Sequence, residues 1–178
     1  MFLRYAALPP AVQWGIEHES HAKRDYMMIK SAVGDVKLED TGLTLCSTHS
    51  FLGASSDGRV KENEEEGIIE IKCPFSLKNR LINSMEIESI IELNDSSFCL
   101  ENGPSGPQLK KEHAYYTQVQ GEMAILGVPW CDFVVWTSAK TNNIFIERVK
   151  FDSDFVMIML PKLVQFYVEN VVPKLYSL

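Results

Sequence analysis

The segment Gly67-Ile68-Ile69-Glu70-Ile71-Lys72-Cys73, stopped by Pro74, constrains this chain more than any other. Its β-branched apolar residues between sequence breakers predict a strand. Its nearly unbroken apolar character predicts a place in the middle of a sheet. Side chains two apart on a strand point to one face, about 6–7 Å from each other. Glu70 and Lys72 therefore share a face, while Ile69 and Ile71 share the other. Charges on a central strand need partners, because an isolated buried charge is costly. The bland solution is a structural ion pair between Glu70 and Lys72; the alternative is a site.

The flanking sequence supplies a frame. Pro9-Pro10 opens a helical stretch from Ala11 to about Lys30, proline being tolerated where the first N–H groups have no helical partner. Strand-like runs follow at Leu43–Ser47 and at Leu52–Ala54, the latter continuing as Gly58–Val60. Residues 76–93 read as a weakly patterned helix. Residues 94–107, rich in Asn, Ser, Gly and Pro, read as a loop or an inserted hairpin. A stronger helix runs from Gln108 to Leu126, with Tyr115, Tyr116, Val119, Met123 and Leu126 at helical spacing and Gly127 ending it. Cys131–Thr137 and Asn143–Lys150 form a hairpin. A last amphipathic helix runs from Ser153 to Tyr176, kinked or divided at Pro161. This order predicts one α/β domain over residues 1–178, with a mixed central β-sheet flanked by helices.

The chain has 24 acidic against 17 basic residues, a formal charge of −7. That excludes a protein that coats nucleic acid by bulk electrostatics. It leaves room for an acidic site that awaits cations. The run Lys61-Glu62-Asn63-Glu64-Glu65-Glu66-Gly67 reads as a solvated hairpin loop with no part in a site. The cysteines, Cys46, Cys73, Cys99 and Cys131, form no CxxC pair, so a zinc site is not expected and a reducing, intracellular compartment is. No apolar run approaches the ~18 residues that span a bilayer, and no signal-peptide stretch opens the chain, so no membrane is expected as a partner.

Three groups of residues carry chemistry. Asp57, in Gly53-Ala54-Ser55-Ser56-Asp57-Gly58, precedes Glu70 by 13 residues, and a hairpin through the acidic loop brings the two together. Adjacent carboxylates repel unless a cation sits between them. Hard oxygen ligands select Mg²⁺ or Mn²⁺ over Zn²⁺. A nearby Lys72 can then orient or help deprotonate the water that splits a phosphodiester. In the first helix, Gly15, Glu19, Ala22 and Tyr26 fall on one stripe. Small residues beside Glu19 allow a close helix contact with a carboxylate at its centre; the alternative is an ordinary solvated Glu. His18 and His21 read as packing residues rather than ligands. On the later helix, Tyr115, Gln118 and Glu122 share a face. Tyr115 and Gln118 together can hold a phosphate or orient a water; the alternative is plain helix surface.

Four motifs in this order resemble the YqaJ viral recombinase family. They are Trp14-Gly15-Ile16-Glu17-His18-Glu19-Ser20-His21-Ala22, Gly53-Ala54-Ser55-Ser56-Asp57-Gly58, Glu70-Ile71-Lys72-Cys73-Pro74 and Tyr115-Tyr116-Thr117-Gln118-Val119-Gln120-Gly121. That family includes lambda-type phage exonucleases and belongs to the PD-(D/E)XK nuclease superfamily. The resemblance covers residues 12 to 137 and implies a restriction-endonuclease-like core. It implies Asp57 and Glu70 as metal-bridging carboxylates, the Ile71 carbonyl as a further ligand, and Glu19 as support for a second ion or its water. Lys72 would assist the nucleophile, Gln118 would complete the catalytic set, and Tyr115 and Ser55 would bind substrate. It implies Mg²⁺ or Mn²⁺ as cofactor, two ions in all, and a 5′-to-3′ exonuclease on double-stranded DNA serving recombination or replication of viral or mobile DNA. An end-independent endonuclease and a non-catalytic nucleic-acid-binding domain are the alternative readings. A single-strand annealing protein or a second copy of the chain are candidate partners beside DNA. The chain departs from the family pattern in two places. Ser56 stands where a Pro usually precedes the first Asp. Only 18 residues precede Glu19, where family exonucleases carry a longer region that grips the 5′ end, so reduced end recognition is expected.

Overall fold

The computed structural model describes residues 8–82, 84–92, 98–141 and 143–176. In chain order the elements are α1 (Pro10–Ser31), β1 (Val36–Glu39), β2 (Thr44–Leu45), β3 (Gly53–Ala54), β4 (Gly58–Glu62) and β5 (Glu65–Lys72), then α2 (Ser84–Glu92), β6 (Leu100–Gly103) and β7 (Gly106–Leu109). They continue with α3 (Ala114–Leu126), β8 (Trp130–Trp136), β9 (Ile144–Lys150), α4 (Ser153–Phe166) and, after a π-helical turn, α5 (Val172–Leu175). The main sheet has the order β1-β4-β5-β8-β9, with two separate ribbons, β2-β3 and β6-β7. β5 is the middle strand, antiparallel to β4 and parallel to β8. β5 is thus central, as its apolar run predicts, and the sheet is mixed, as the order of elements predicts.

Alternation along β5 divides the core. Ile68 packs with Tyr116, Val119 and Met123 of α3 on one face. Ile69 and Ile71 pack with Ala22 and Tyr26 of α1, and with Trp130, Val134 and Trp136 of β8, on the other. Glu70 and Lys72 consequently face α3. At Gly67 the backbone lies against the Trp130 ring, leaving no room for a Cβ.

Several expectations are corrected. β1 was not foreseen: Val-Lys-Leu-Glu is a short edge strand whose charges dilute the apolar signal. The predicted Leu43–Ser47 strand shrinks to Thr44–Leu45, and the run from Leu52 to Val60 breaks at Ser55–Asp57, so that β3 joins β2 and only β4 joins the sheet. The later helix begins at Ala114 rather than Gln108, because Gly106–Leu109 pair with Leu100–Gly103. That pairing is the hairpin alternative for 94–107, shifted; residues 94–97 and 93 lie outside the described residues. Gly127 ends α3 at φ 67°, in the left-handed conformation glycine favours. α4 runs through Pro161. The stretch Ser153–Leu175 is long and apolar enough to cross a membrane by length and composition, against the expectation, and little of it is buried.

Glu62 is the clearest correction within the acidic run. It is not a loop acid but pairs with Lys30 at 2.8 Å and Arg148 at 2.6 Å. Both cations also reach buried Asp132 on β8, Arg148 Nε at 2.8 Å and Lys30 Nζ at 3.4 Å. The Tyr26 hydroxyl donates to the same carboxylate at 2.7 Å. Beside Tyr26 on α1, Asp25 accepts from Trp136 Nε1 at 2.7 Å and from Asn143 at 2.6 Å. A buried charge must be paired to be tolerated, and these partners span α1, β4, β8 and β9. They fix the helix that carries Glu19 against the sheet.

Candidate active site

The C-terminal end of β5 is where the two faces of the sheet meet. A cavity of about 360 Å³ opens there, lined by Gly15, Ile16 and Glu19 of α1, by Ile71 and Lys72 of β5, by Phe75, and by Tyr115 of α3. Glu19 enters it from the far face of the sheet, one helical turn before the buried Ala22–Tyr26 contact. It pairs with Lys23 at 2.9 Å. Gly15 does not serve a close helix contact, since nothing lies within 4 Å of where its Cβ would be. It leaves the cavity open instead.

Lys72 is held from three sides. Its Nζ donates to Glu70 Oε1 at 2.6 Å and to Gln118 Oε1 at 3.0 Å, and lies 4.3 Å from the centre of the Tyr115 ring. Burial alone would favour the neutral amine, but the Glu70 carboxylate outweighs it and raises the lysine pKa. Lys72 is therefore an ammonium. The structural ion pair and the candidate site are the same atoms.

The carboxylates are strained electrostatically. Burial, then the charge of Glu70, pushes the Asp57 carboxyl up to about 6, although the Ile71 N–H donates to its Oδ2 at 2.7 Å. Burial also raises Glu70, with Lys72 opposing the shift and Glu122 adding to it. Glu70 Oε2 is buried and has no hydrogen-bond partner. An orphaned carboxylate oxygen beside a second crowded carboxylate is what a divalent cation would satisfy. Among the described residues, no three Asp, Glu, His or Cys side chains form a ready-made metal cage. That suits Mg²⁺, which is typically held by one or two carboxylates, with waters and substrate phosphates completing its shell. The donor set fits the ion: Asp57, Glu70 and the Ile71 carbonyl would hold it, with Glu19 near enough for its charge to add to the raised pKa of Asp57.

The fold brings together Asp57, Glu70, Ile71, Lys72, Gln118 and Tyr115, with Glu19 at the cavity wall. Ser55 does not line that cavity; it lines a second one with Gln118, Gly121 and Glu122, between β3, α3 and α4. Ser56 is buried, and its carbonyl accepts from the Thr41 hydroxyl at 2.5 Å, so it shapes the turn before Asp57. His18 stacks on Trp14 with ring centres 3.7 Å apart, a packing role. Sequence reasoning passed over Glu122 as a functional group. It is buried on α3, and Gln118 Nε2 donates to it at 3.0 Å. The signal was its place four residues after Gln118, on the face already singled out. Gln120, fully buried, was also missed; it donates to the Lys150 carbonyl at 2.9 Å and accepts from the Asp152 N–H at 2.8 Å, tying α3 to the start of α4.

Comparison with known proteins agrees with this geometry. A search of curated protein sequences finds no match. Among solved structures, the chain is similar to an alkaline exonuclease (LHK-Exo) from Laribacter hongkongensis, at 25% identity and TM-score 0.69, over 97% of this chain and 74% of that one. The same enzyme solved in complex with dAMP gives the same values. A phage-related exonuclease from Haemophilus somnus 129PT shares the fold, at 14% identity and TM-score 0.51, over 86% of this chain and 68% of that one. The shared architecture is restriction-endonuclease-like. The model of the YqaJ-like viral recombinase domain matches residues 6–129, which contain Glu19, Asp57, Glu70, Lys72 and Gln118. With that match covering most of its length, the chain belongs to the YqaJ-like viral recombinase family.

Proposed function

We propose that this protein is a metal-dependent deoxyribonuclease that hydrolyses phosphodiester bonds, acting as a 5′-to-3′ exonuclease on linear duplex DNA in recombination or replication of viral or mobile DNA. The observation that carries the reading is the end of β5. There a lysine ammonium is clamped against Glu70 while the other oxygen of Glu70 is buried without a partner. The similarity to LHK-Exo, whose structure with dAMP shows that enzyme binding a nucleotide, supports it. A divalent cation, when bound, would supply Lewis acidity and acidify a water. Asp57 and Glu70 hold their charges where the cation binds. Lys72 presents a proton-bearing nitrogen to the attacking water and the scissile phosphate. Gln118 fixes Lys72, and Tyr115 backs its ammonium. Glu19 extends the acidic lining for a second ion. Val12, Ile16 and Phe75, exposed residues that line the cavity, offer apolar surface to the nucleotide's base and sugar.

The test is a linear duplex labelled at either the 5′ or the 3′ end, set beside a covalently closed circle, with Mg²⁺. Label is expected to leave 5′ ends as small products while the closed circle survives. Nicking of the circle would favour an end-independent endonuclease, and binding without cleavage of either DNA would sink the enzymatic reading. Lys72→Ala is expected to keep Mg²⁺ binding and lower turnover by about 10²-fold or more, the scale of one proton-transfer or charge-stabilising group. Calorimetric titration with Mg²⁺ beside single-turnover kinetics checks both halves. A near-normal rate would mark Lys72 as a structural ion-pair residue.

A further inference from the structure

Gln118 occupies a position where the direction of its amide matters. Its Nε2 donates to Glu70 at 2.7 Å and to Glu122 at 3.0 Å, while its Oε1 accepts from Lys72 Nζ at 3.0 Å. Both N–H bonds end on carboxylates, and the carbonyl faces an ammonium. A flipped amide would point its oxygen at two carboxylates and its NH₂ at a cation, turning three attractive contacts into repulsive ones. Glu70 alone does not settle the orientation once it turns towards a cation. Glu122 does: it is 7% exposed, it sits one turn beyond Gln118 on the same helix, and Gln118 is the partner of its Oε1. Its other oxygen is buried and accepts no hydrogen bond from the described residues, so the Gln118 amide is the donor that holds this carboxylate. The backbone behind it is held as well, since Gln120 and Met123 are buried in the same helix.

We propose that Glu122 is a positioning residue: it locks the Gln118 amide with its carbonyl towards Lys72, and so fixes the lysine ammonium at the end of β5. Glu122 acts through Gln118, without touching the DNA or the reacting water. The kinetic part of this inference rests on the nuclease reading; the structural part does not.

The test uses the full chain and Glu122→Gln, which keeps the volume and removes the fixed acceptor together with the charge that Glu122 adds beside Glu70. A glutamine at 122 can donate or accept, so the Gln118 amide loses its enforced direction. Turnover is expected to fall about tenfold, the range in which partners behind a site's direct ligands act. KM for duplex and the Mg²⁺ concentration at half-maximal rate should stay within about twofold. In a Gln118→Ala background the same substitution should change nothing further, because the group it acts through is gone. An equal loss in both backgrounds, or a shifted Mg²⁺ requirement, would overturn the proposal by making Glu122 act directly on the ion. Unchanged turnover in the wild-type background would overturn it too. A second readout needs no nuclease activity. In the metal-free protein, the Gln118 side-chain amide resonances, assigned by their loss in Gln118→Ala, should move and exchange faster with solvent in Glu122→Gln. Unmoved resonances would reject the lock, whether or not the protein cuts DNA. Moved resonances in a protein that cuts nothing would leave the lock standing and reject the nuclease reading instead.

Discussion

In EDTA the protein is expected to release no product from linear duplex DNA, with activity restored by Mg²⁺ or Mn²⁺ and not by Ca²⁺. The argument is one of charge. Asp57, Glu70 and Glu122 are crowded at one end of β5, burial raises each of their pKa values, and Lys72 is the ammonium hydrogen-bonded among them. A phosphodiester brings a further negative charge into this site. One lysine already engaged by Glu70 and Gln118 cannot neutralise that sum, so catalysis needs a cation from solution. The ligands number too few to form a closed cage, so the ion should bind weakly and exchange readily, and chelation should act within mixing time. Ca²⁺ accepts the same oxygens but prefers more ligands at longer distances, which fits occupancy without turnover. Mg²⁺ titration of the cleavage rate, with Ca²⁺ as competitor, measures all three statements. Undiminished cutting in EDTA would sink the metal mechanism, and with it the reason for crowding three carboxylates here.

The charged end of β5 was legible because strand periodicity is local. Alternation alone places Glu70 and Lys72 on one face and Ile69 and Ile71 on the other, and the 2.6 Å contact between Glu70 and Lys72 follows from that spacing. Asp57 was legible through the hairpin that joins β4 to β5. Glu19 was legible as a stripe position on α1, but not the means by which α1 is held. That depends on Tyr26 meeting Asp132 and on Asp25 meeting Trp136, partners 106 and 111 residues apart. No periodicity in the sequence encodes such pairings. Glu62 was misread for the same reason: a run of acids looks solvated until β1, β4 and α1 are assembled and Lys30 and Arg148 arrive. Element ends failed where local chemistry was ambiguous. Pro107-Gln108-Leu109 can open a helix or close a hairpin, and the Leu100↔Leu109 pairing decided for the hairpin. Ser55 lines a cavity with Gln118 and Glu122, a placement that depends on β3 pairing with β2 rather than continuing into β4.

Asp57→Asn is expected to be inactive, to bind Mg²⁺ weakly, and to be at least as stable as wild type when no metal is present. Asparagine is nearly isosteric, and its carbonyl can still accept the Ile71 N–H that Asp57 Oδ2 accepts at 2.7 Å. It removes the repulsion with Glu70 and the cost of burying a charge, the causes that raise the Asp57 pKa to about 6. A carboxyl whose pKa is higher folded than unfolded binds more protons in the native state. Stability therefore falls as pH rises from the unfolded value of about 4 through the folded value. Below that window wild type and mutant should melt alike in EDTA. Above it the mutant should gain on the order of 1 kcal/mol, somewhat less than the shift alone implies, because a neutral acceptor holds the Ile71 N–H less strongly. Adding Mg²⁺ should reverse the ranking, since only wild type gains from binding the ion in its folded state. Thermal melts at about pH 3.5 and about pH 8, each in EDTA and in Mg²⁺, separate these effects. If the mutant melts well below wild type at pH 8 in EDTA, Asp57 is a folding residue whose charge stabilises the turn into β4. The site would then store no repulsion for a cation to relieve.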